Sequence, residues 1–491
     1  MSAALPAPYR PAGEINLATA LAPYAGPWDP RLAAHLARRA GFGGTPDDVA
    51  RLAAMQPQSA VDSFVHLPDT SKLPGPPQLE PLYNAQQVQR AARQQAAADP
   101  EAAKAKQAQV GRLRRQEIVA LQTWWIDRMI NTPAPLQEKM TLFLHGHFTS
   151  APGKGVQPSD LANQNQLLRG YALGNLHALT LSLSQDPAML VYLDNARSEK
   201  EHPNENYARE LMELFTLGIG NYTENDVRES ARAFTGWSVR RGGGGFAFNA
   251  RQHDDGSKTF LGQTGNFDGQ SIVDIIFQQP AAARLFATKL IEFFVYDDPE
   301  PALVDAFADV IRKNKFELQP SLSTLLRSNV FFSDRAYRAL VKSPVEFVVG
   351  AYQTFGITKP DTIALGALQR MGQVLFNPPS VKGWDGGAAW LNSQTMLTRE
   401  NFAGSLMANP NMPQSGWLTD GIATSDAQKV ARKLTDTLLL GDVSPASMAR
   451  LVGYLNGAGV SERSTFGREN ADERVRAAAY LTMAMPAYQL N

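Results

Sequence analysis

Two histidines, His145 and His147, come closest to a pattern that supports metal binding or proton transfer. They lie between Phe143 and Phe148 and are separated only by Gly146. In a continuous helix, side chains two residues apart diverge by about 200°, so the pair could not share a ligand. If the helix breaks at Gly146, both imidazoles can converge on a metal ion, as in common His-x-His sites. The other interpretation is a pair of structural histidines that bond to the backbone where a helix meets a loop.

A second polar cluster follows His202 and sets asparagine, arginine and glutamate side chains against an apolar run. Asn204 suits a helix N-cap, and Glu205 and Arg209 share one helix face at a spacing of four. Glu205 or Glu210 would act as a metal ligand or general base, and Arg209 would orient an anionic substrate. A structural polar network explains the same residues, because buried carboxylates need partners.

A third cluster, His253 and Asp254, lies in a loop between two β-like pieces at 246–248 and 259–261. A hairpin loop with these side chains could supply a base or metal carboxylates. The alternative is purely conformational, because the Asp-Asp-Gly sequence that starts at Asp254 favours a turn without any ligand.

A loop rich in Pro and Gly, from Asn377 to Gly387, carries Trp384, and Trp390 follows it. Aromatic side chains in such a loop can line a pocket for sugars or other flat ligands. The alternative interpretation is that they pin a long loop to the body of the protein.

Helical patterns dominate the elements that must position these residues, and the sequence predicts a mainly α, multi-helical globular fold with one small β-hairpin. Residues 1–28 are expected to be an irregular lead-in, 29–402 a helical domain, and 403–491 a helical segment packed on the core. Residues 84–114 have good helix propensity but no apolar face, so they are expected to form a polar, exposed helical insertion. A helix N-cap is predicted at Thr45, with Pro46 in the first turn.

Composition excludes several classes of protein. Lys plus Arg equals Asp plus Glu at 47 each, so no net charge draws the chain to nucleic acid. The lack of cysteine excludes disulfides, thiolate metal sites and a cysteine nucleophile. The N-terminus lacks the basic start and apolar core of a secretory signal, and no run reaches the roughly 18 apolar residues of a membrane span. The sequence therefore predicts a soluble protein, cytoplasmic by default.

Six runs of the sequence carry a family resemblance, and they lie in order between about residues 32 and 402. The runs that begin at Pro135, His202 and Arg251 are the most specific. On these runs the sequence resembles the bacterial family of domain of unknown function 1800. The six runs are Leu36–Val49, Pro135–Phe148, His202–Asn221, Asp226–Trp237, Arg251–Gly269 and Pro378–Trp384.

The resemblance implies an exported or envelope-associated protein, often encoded beside a sulfatase/phosphatase-like partner, and it implies no particular reaction. Two features depart from the family pattern. The N-terminus lacks an export signal, and Gly146 stands where asparagine is expected between the two histidines.

Taken together, the residues suggest an enzyme that acts by hydrolysis or elimination on a polymeric, carbohydrate-like substrate. A divalent metal is the cofactor that this hypothesis implies, with His145, His147 and Glu210 as its ligands. The alternative hypothesis is a non-catalytic scaffold for a co-encoded sulfatase/phosphatase-like protein, with the polar helix at 84–114 as a docking arm. The hypothesised active site comprises His145, His147, Asn204, Glu205, Arg209, Glu210, His253 and Asp254.

Overall fold

The computed structural model describes residues 15–79, 100–153, 155–240, 245–409, 422–423, 425–457 and 471–491. Its first three α-helices begin at residues that favour helix starts. Asp29 accepts a hydrogen bond from the amide of Leu32, and Thr45 forms a capping box with Asp48. The N-cap predicted at Thr45 is confirmed. These helices are α1 (Pro30–Arg39), α2 (Pro46–Ala53) and α3 (Pro57–Val65).

The longest helix, α4 (Pro100–Asn131), contains the end of the predicted polar insertion. Residues 84–99 of that insertion lie outside the described residues, and the remainder from Pro100 is helical. Most side chains in the first half of α4 are exposed, whereas Trp125 and Met129 in the second half are fully buried. Only the second half of the helix, where apolar residues recur at helical spacing, is therefore buried.

The central helices are 6 to 13 residues long. One of them departs from α geometry, because Leu211–Thr216 forms a π-helix directly after α9. The side-chain hydroxyl of Thr216 donates to the carbonyl oxygen of Leu211, five residues earlier, and this bond supports the wider turn. These helices are α5 (Pro135–His147), α6 (Pro158–Gly170), α7 (Leu176–Ser184), α8 (Pro187–Tyr192), α9 (Glu205–Glu210) and α10 (Glu224–Ala233).

The described β structure is two antiparallel hairpins, whereas one was predicted. Strands β1 (Trp237–Val239) and β2 (Phe246–Phe248) pair with each other, and so do β3 (Lys258–Phe260) and β4 (Gln263–Gly265). The two β-like pieces expected to form one hairpin thus each pair with a nearer strand. Short loops bring neighbouring strands together at lower entropic cost than a longer connection.

The remaining regular elements of the described chain are helices, so the mainly α, multi-helical fold is confirmed. Many of them have proline at their first position, where its missing amide hydrogen leaves no bond unmade. No described helix is long and apolar enough to cross a membrane. They are α11 (Gly269–Gln278), α12 (Pro280–Phe294), α13 (Pro301–Lys313), α14 (Leu318–Leu326), α15 (Pro344–Thr354), α16 (Thr362–Met371), α17 (Ser393–Met407), α18 (Ala427–Leu439), α19 (Pro445–Leu455) and α20 (Ala471–Met483).

Two large hydrophobic clusters form the core. The first is built by the N-terminal and central helices and contains Phe215 and Phe286. The second is built by the buried half of α4 and by α15–α20, and contains Trp125 and Leu434. Helix α5 contributes to both clusters, so its residues lie where the two meet.

A buried carboxylate joins three helices near this junction. Glu138 of α5 is fully buried, and its oxygens accept hydrogen bonds from Arg128 Nε of α4 at 2.7 Å and Arg169 Nε of α6 at 2.7 Å. Trp125 Nε1 donates a further bond at 2.9 Å. A buried charge is tolerated only when it is paired and hydrogen-bonded, and Glu138 meets both conditions.

Two arginines, Arg38 and Arg338, connect the first helix to the C-terminal helices. Arg38 of α1 donates to the carbonyl oxygen of Leu438 at 3.2 Å, and Arg338 donates to those of Leu439 and Ala487. Leu438 and Leu439 are the last residues of α18, where carbonyls lack intrahelical partners and the helix dipole is negative. The two arginines therefore satisfy the end of α18 and hold it against α1.

Candidate functional site

The two histidines predicted as metal ligands lie on one continuous helix and point to different partners. Helix α5 continues to His147, so the break at Gly146 that would let both imidazoles converge does not occur. Nε2 of His145 accepts a hydrogen bond from the amide of Phe376 at 3.0 Å, whereas Nε2 of His147 lies 2.9 Å from the carbonyl oxygen of Phe215. The divergence expected for a continuous helix is what the structure shows.

Both imidazoles are kept neutral by their surroundings. Burial lowers the pKa of His145 to about 4. Burial and the nearby Lys289 lower the pKa of His147 to about 3. The bond to Phe215 requires the proton of His147 on Nε2, and the bond from Phe376 requires the proton of His145 on Nδ1.

The bond from His147 satisfies the end of the π-helix. Phe215 lies one residue before the end of that helix, so its carbonyl oxygen is among those without an intrahelical donor. His147 thus links the end of α5 to the helix that carries the second predicted cluster. The hydrogen bond joins the imidazole to a backbone carbonyl and brings none of the polar side chains of that cluster to the imidazole.

The second predicted cluster forms ion pairs near the surface. Asn204 is the N-cap of α9, and its side chain accepts from the amide of Asn206 at 2.9 Å. Arg209 binds both oxygens of Glu224, at 2.7 and 2.8 Å, and lies 3.4 Å from Glu205. Exposed pairs of this kind contribute little to stability.

Glu210 of the same cluster lies on a half-buried face. Burial raises its pKa, and the neighbouring Glu213 raises it further. A carboxyl group with a raised pKa is a candidate proton donor, although the structure does not bring it beside either histidine of α5.

The third predicted pair, His253 and Asp254, attaches its loop to α10. Asp254 binds Arg232 through two hydrogen bonds, from Nε at 2.7 Å and from Nη2 at 3.1 Å. His253 is buried, and its Nδ1 lies 2.9 Å from the carbonyl oxygen of Thr235. The hydrogen bonds of both residues therefore hold β3 and its loop in place.

The residues hypothesised as one site thus occupy three separate places. Among the described residues, no group of three His, Asp or Glu side chains is placed to hold a metal ion. Accordingly, the structure does not bring the side chains of His145, His147 and Glu210 together. The catalytic roles assigned to the single residues stay predictions.

A cleft of about 370 Å³ opens beside His147. Its walls come from the end of α5, the second half of α12, the start of α15 and the loop before α17. We call it the Trp384 cleft. Its polar and aromatic lining includes His147, Lys289, Glu292, Asp297, Ser343, Glu346, Gln373, Lys382, Trp384, Asp385 and Trp390.

Besides His147, several ionisable groups in the Trp384 cleft have shifted pKa values. Burial lowers the pKa of Lys289, against the effect of Glu292, and Lys382 lowers it further. Burial raises the pKa of Glu292, and the nearby Asp297 also raises it. Burial likewise raises the pKa of Asp297, against the effect of Arg39. The cleft therefore combines an amine that loses its proton more easily than usual with acids that hold theirs more firmly, a pattern typical of active sites.

The tryptophan loop lies directly on the end of α5. Gly383 has a φ of +87°, and a side chain there would collide with the carbonyl oxygen of Gly146. Thr149 donates to the carbonyl oxygen of Val381 at 2.6 Å, which fixes the loop on the same side. This close approach places Trp384 with its ring centroid 5.7 Å from that of His145. Two of the sequence runs that carry the family resemblance therefore form one wall of the cleft.

Gly383→Ala should displace this wall, whereas Gly146→Ala should not. The first change forces a left-handed conformation on alanine and meets the backbone of Gly146, at a cost of roughly 1–3 kcal/mol. The second places a Cβ atom 3.8 Å from the Trp384 ring, an ordinary contact, and improves helix propensity by up to about 1 kcal/mol. Urea unfolding and tryptophan fluorescence of both variants measure the difference. Equal tolerance of the two substitutions would show that the loop does not depend on this contact.

Sequence reasoning missed the charged residues of the cleft. Lys289 and Glu292 lie three apart on an apolar helix and look like an ordinary surface pair. Their burial could have been inferred from their position inside α12, where almost every neighbouring side chain is apolar. Trp384 was singled out, but which residues it faces depends on contacts that are distant in sequence.

Comparison with known proteins places the chain in a family. A family model described as a protein of unknown function, DUF1800, matches residues 35–490. The match includes the C-terminal helices beyond the six runs that carry the resemblance in the sequence. No curated protein and no solved structure matches the chain.

Proposed function

Since this chain belongs to the DUF1800 family, whose description assigns no reaction, we propose its function from the Trp384 cleft. The protein is an enzyme that performs acid–base chemistry, by hydrolysis or elimination, on a polar substrate with rings of the carbohydrate kind. The observation that carries the proposal is the meeting of Lys289, Glu292 and Asp297, all with shifted pKa values, in a cleft with two tryptophans.

Each group has a role that follows from its surroundings. Glu292, whose pKa burial raises, keeps a proton to give to a leaving oxygen. Lys289, whose pKa burial lowers, accepts a proton from the substrate or from water. Trp384 and Trp390 offer apolar surfaces against which a sugar ring can pack while its hydroxyls meet the charged groups.

The first experiment measures substrate binding and product formation together. The full chain is incubated with a panel of polysaccharides, and new reducing ends report hydrolysis while unsaturated products report elimination. For a substrate that is turned over, Trp384→Ala should weaken binding about tenfold, a loss of about 1.4 kcal/mol. Leu397→Ala, which changes an exposed apolar side chain that does not line the cleft, is the control. Unchanged binding by the Trp384 variant would contradict the proposal.

A second candidate function, a non-catalytic scaffold, is favoured by two observations. Arg209 and Asp254, in two of the clusters predicted as sites, are bound in ion pairs, as a structural network would require. The described part of the polar insertion, from Pro100, is also largely exposed on α4. A scaffold would bind a co-encoded sulfatase/phosphatase-like protein with unchanged affinity after His145 and His147 are replaced by alanine. Loss of that binding, or turnover by the chain alone, would favour the enzyme.

A further inference from the structure

A cluster of buried cations lies apart from the Trp384 cleft lining. Lys342 is only 6 % exposed, and its Nζ lies 3.8 Å from the ring centroid of Tyr488. Arg399 donates from Nη2 to the carbonyl oxygen of Lys342 at 2.7 Å. Arg38 and Arg338 complete the group, each bonded to carbonyl oxygens of the C-terminal segment. Four cationic side chains therefore meet where α1, α17 and residues 338–342 pack together.

The acids around this cluster do not balance its charge. Arg338 pairs with Asp442 at 2.9 Å. Glu346 also faces Lys342, but it forms an ion pair with Lys139. Within the described part of the chain, no carboxylate lies within ion-pair distance of Lys342 Nζ. Burial and the neighbouring Arg38, Arg338 and Arg399 hold the pKa of Lys342 well below its usual value.

A second buried lysine shows what a balanced site looks like in the same protein. Lys139 is fully buried, and its Nζ donates to Glu346 and to the carbonyl oxygens of Arg38 and Gly41. Its three donors are therefore all used. Lys342 has the face of Tyr488 and three guanidinium groups as its surroundings instead.

We propose that Lys342 is carboxylated by carbon dioxide, and that Arg38, Arg338 and Arg399 hold the resulting carbamate. The amine nitrogen attacks the carbon of CO2, one electron pair of a C=O bond moves to oxygen, and the nitrogen releases a proton to solvent. No electrons are gained or lost. The product carries one negative charge where the amine carried none, which offsets the surrounding guanidinium charge.

The cluster also offers hydrogen-bond donors for such an anion. Nε of Arg399 is buried and has no partner in the described structure. Buried donors without an acceptor are costly, so an acceptor introduced beside Arg399 is stabilising. The face of Tyr488 shields Lys342 from water, which slows the return of the carbamate to amine and CO2.

Carbon-13 NMR of the full chain in labelled bicarbonate at mildly alkaline pH tests the proposal. We expect a carbamate resonance in the wild-type protein and in Lys289→Met, which removes another lysine whose pKa burial lowers. Lys342→Met should lose the resonance completely. Its persistence in that variant, or its absence from the folded wild-type protein, would overturn the proposal.

A second measurement uses only the wild-type protein, so it does not depend on whether the Lys342→Met variant folds. Chemical methylation of the carbamate in the wild-type protein traps it, and peptide mapping then identifies the modified lysine. Modification at Lys342 supports the proposal, and modification elsewhere or nowhere contradicts it. An ammonium that simply packs on Tyr488 would give no trapped product.

Discussion

Glu292→Gln should lower the rate of any reaction in the Trp384 cleft by roughly 10²–10⁴-fold, the usual contribution of a general acid. Glutamine keeps the shape of the side chain but cannot donate an acidic proton. Steady-state rates on a substrate identified from the polysaccharide panel measure the effect. The free energy of unfolding should change little, because Glu292 forms no buried ion pair in the described structure.

The matched control for this variant is Glu224→Gln. Glu224 is exposed and binds Arg209, on a different part of the surface from the cleft. Its replacement should leave the rate unchanged. A Glu292 variant that keeps the full rate would remove the general acid from the proposed mechanism.

Glu138→Ala should destabilise the protein by about 3–5 kcal/mol, because it removes the partner of two buried arginines. Arg128 and Arg169 would keep their charges with no carboxylate to balance them, and Trp125 Nε1 would lose its acceptor. Urea unfolding followed by circular dichroism gives the difference in free energy. Glu224→Ala, which removes the exposed partner of Arg209, is the control and should have little effect. A similar small loss for both variants would mean that the buried network relaxes without cost.

The effect of Glu138 should depend on pH in a defined direction. Burial raises its pKa, but hydrogen bonds from Arg169 and Arg128 outweigh burial and hold the pKa below its usual value. Its contribution is therefore fully present above the unfolded pKa of about 4.3, and is lost as the pH falls through the lower folded value. The difference between wild type and Glu138→Gln should shrink as unfolding is measured from pH 5 down to pH 3. A constant difference would contradict this linkage.

Local features of the fold were predictable because local chemistry determines them. Thr45 and Asp48 form a capping box, and proline opens many of the helices, as short-range preferences require. The fold class follows from apolar spacing that repeats along most of the chain. The pairing of β1 with β2 and of β3 with β4 was missed, because the sequence does not show which short strand meets which.

The candidate site was less predictable because its parts are far apart in sequence. His147, Lys289 and Trp384 meet only after α5, α12 and the tryptophan loop pack together. The sequence left two interpretations of the histidine pair open, a metal site or two structural histidines. The structure separates them because α5 continues past Gly146. The π-helix was missed for a different reason, since its apolar pattern is close to that of an α-helix.

The arginines that bind the end of α18 have a consequence for cooperativity. Cutting the chain between α17 and α18 would separate Arg38 and Arg338 from the carbonyl oxygens that they satisfy. The N-terminal fragment would then carry only the donors of these hydrogen bonds and the C-terminal fragment only the acceptors, so neither could form them alone. The N-terminal and C-terminal helices should accordingly denature in a single transition, and neither should persist as an autonomous folding unit.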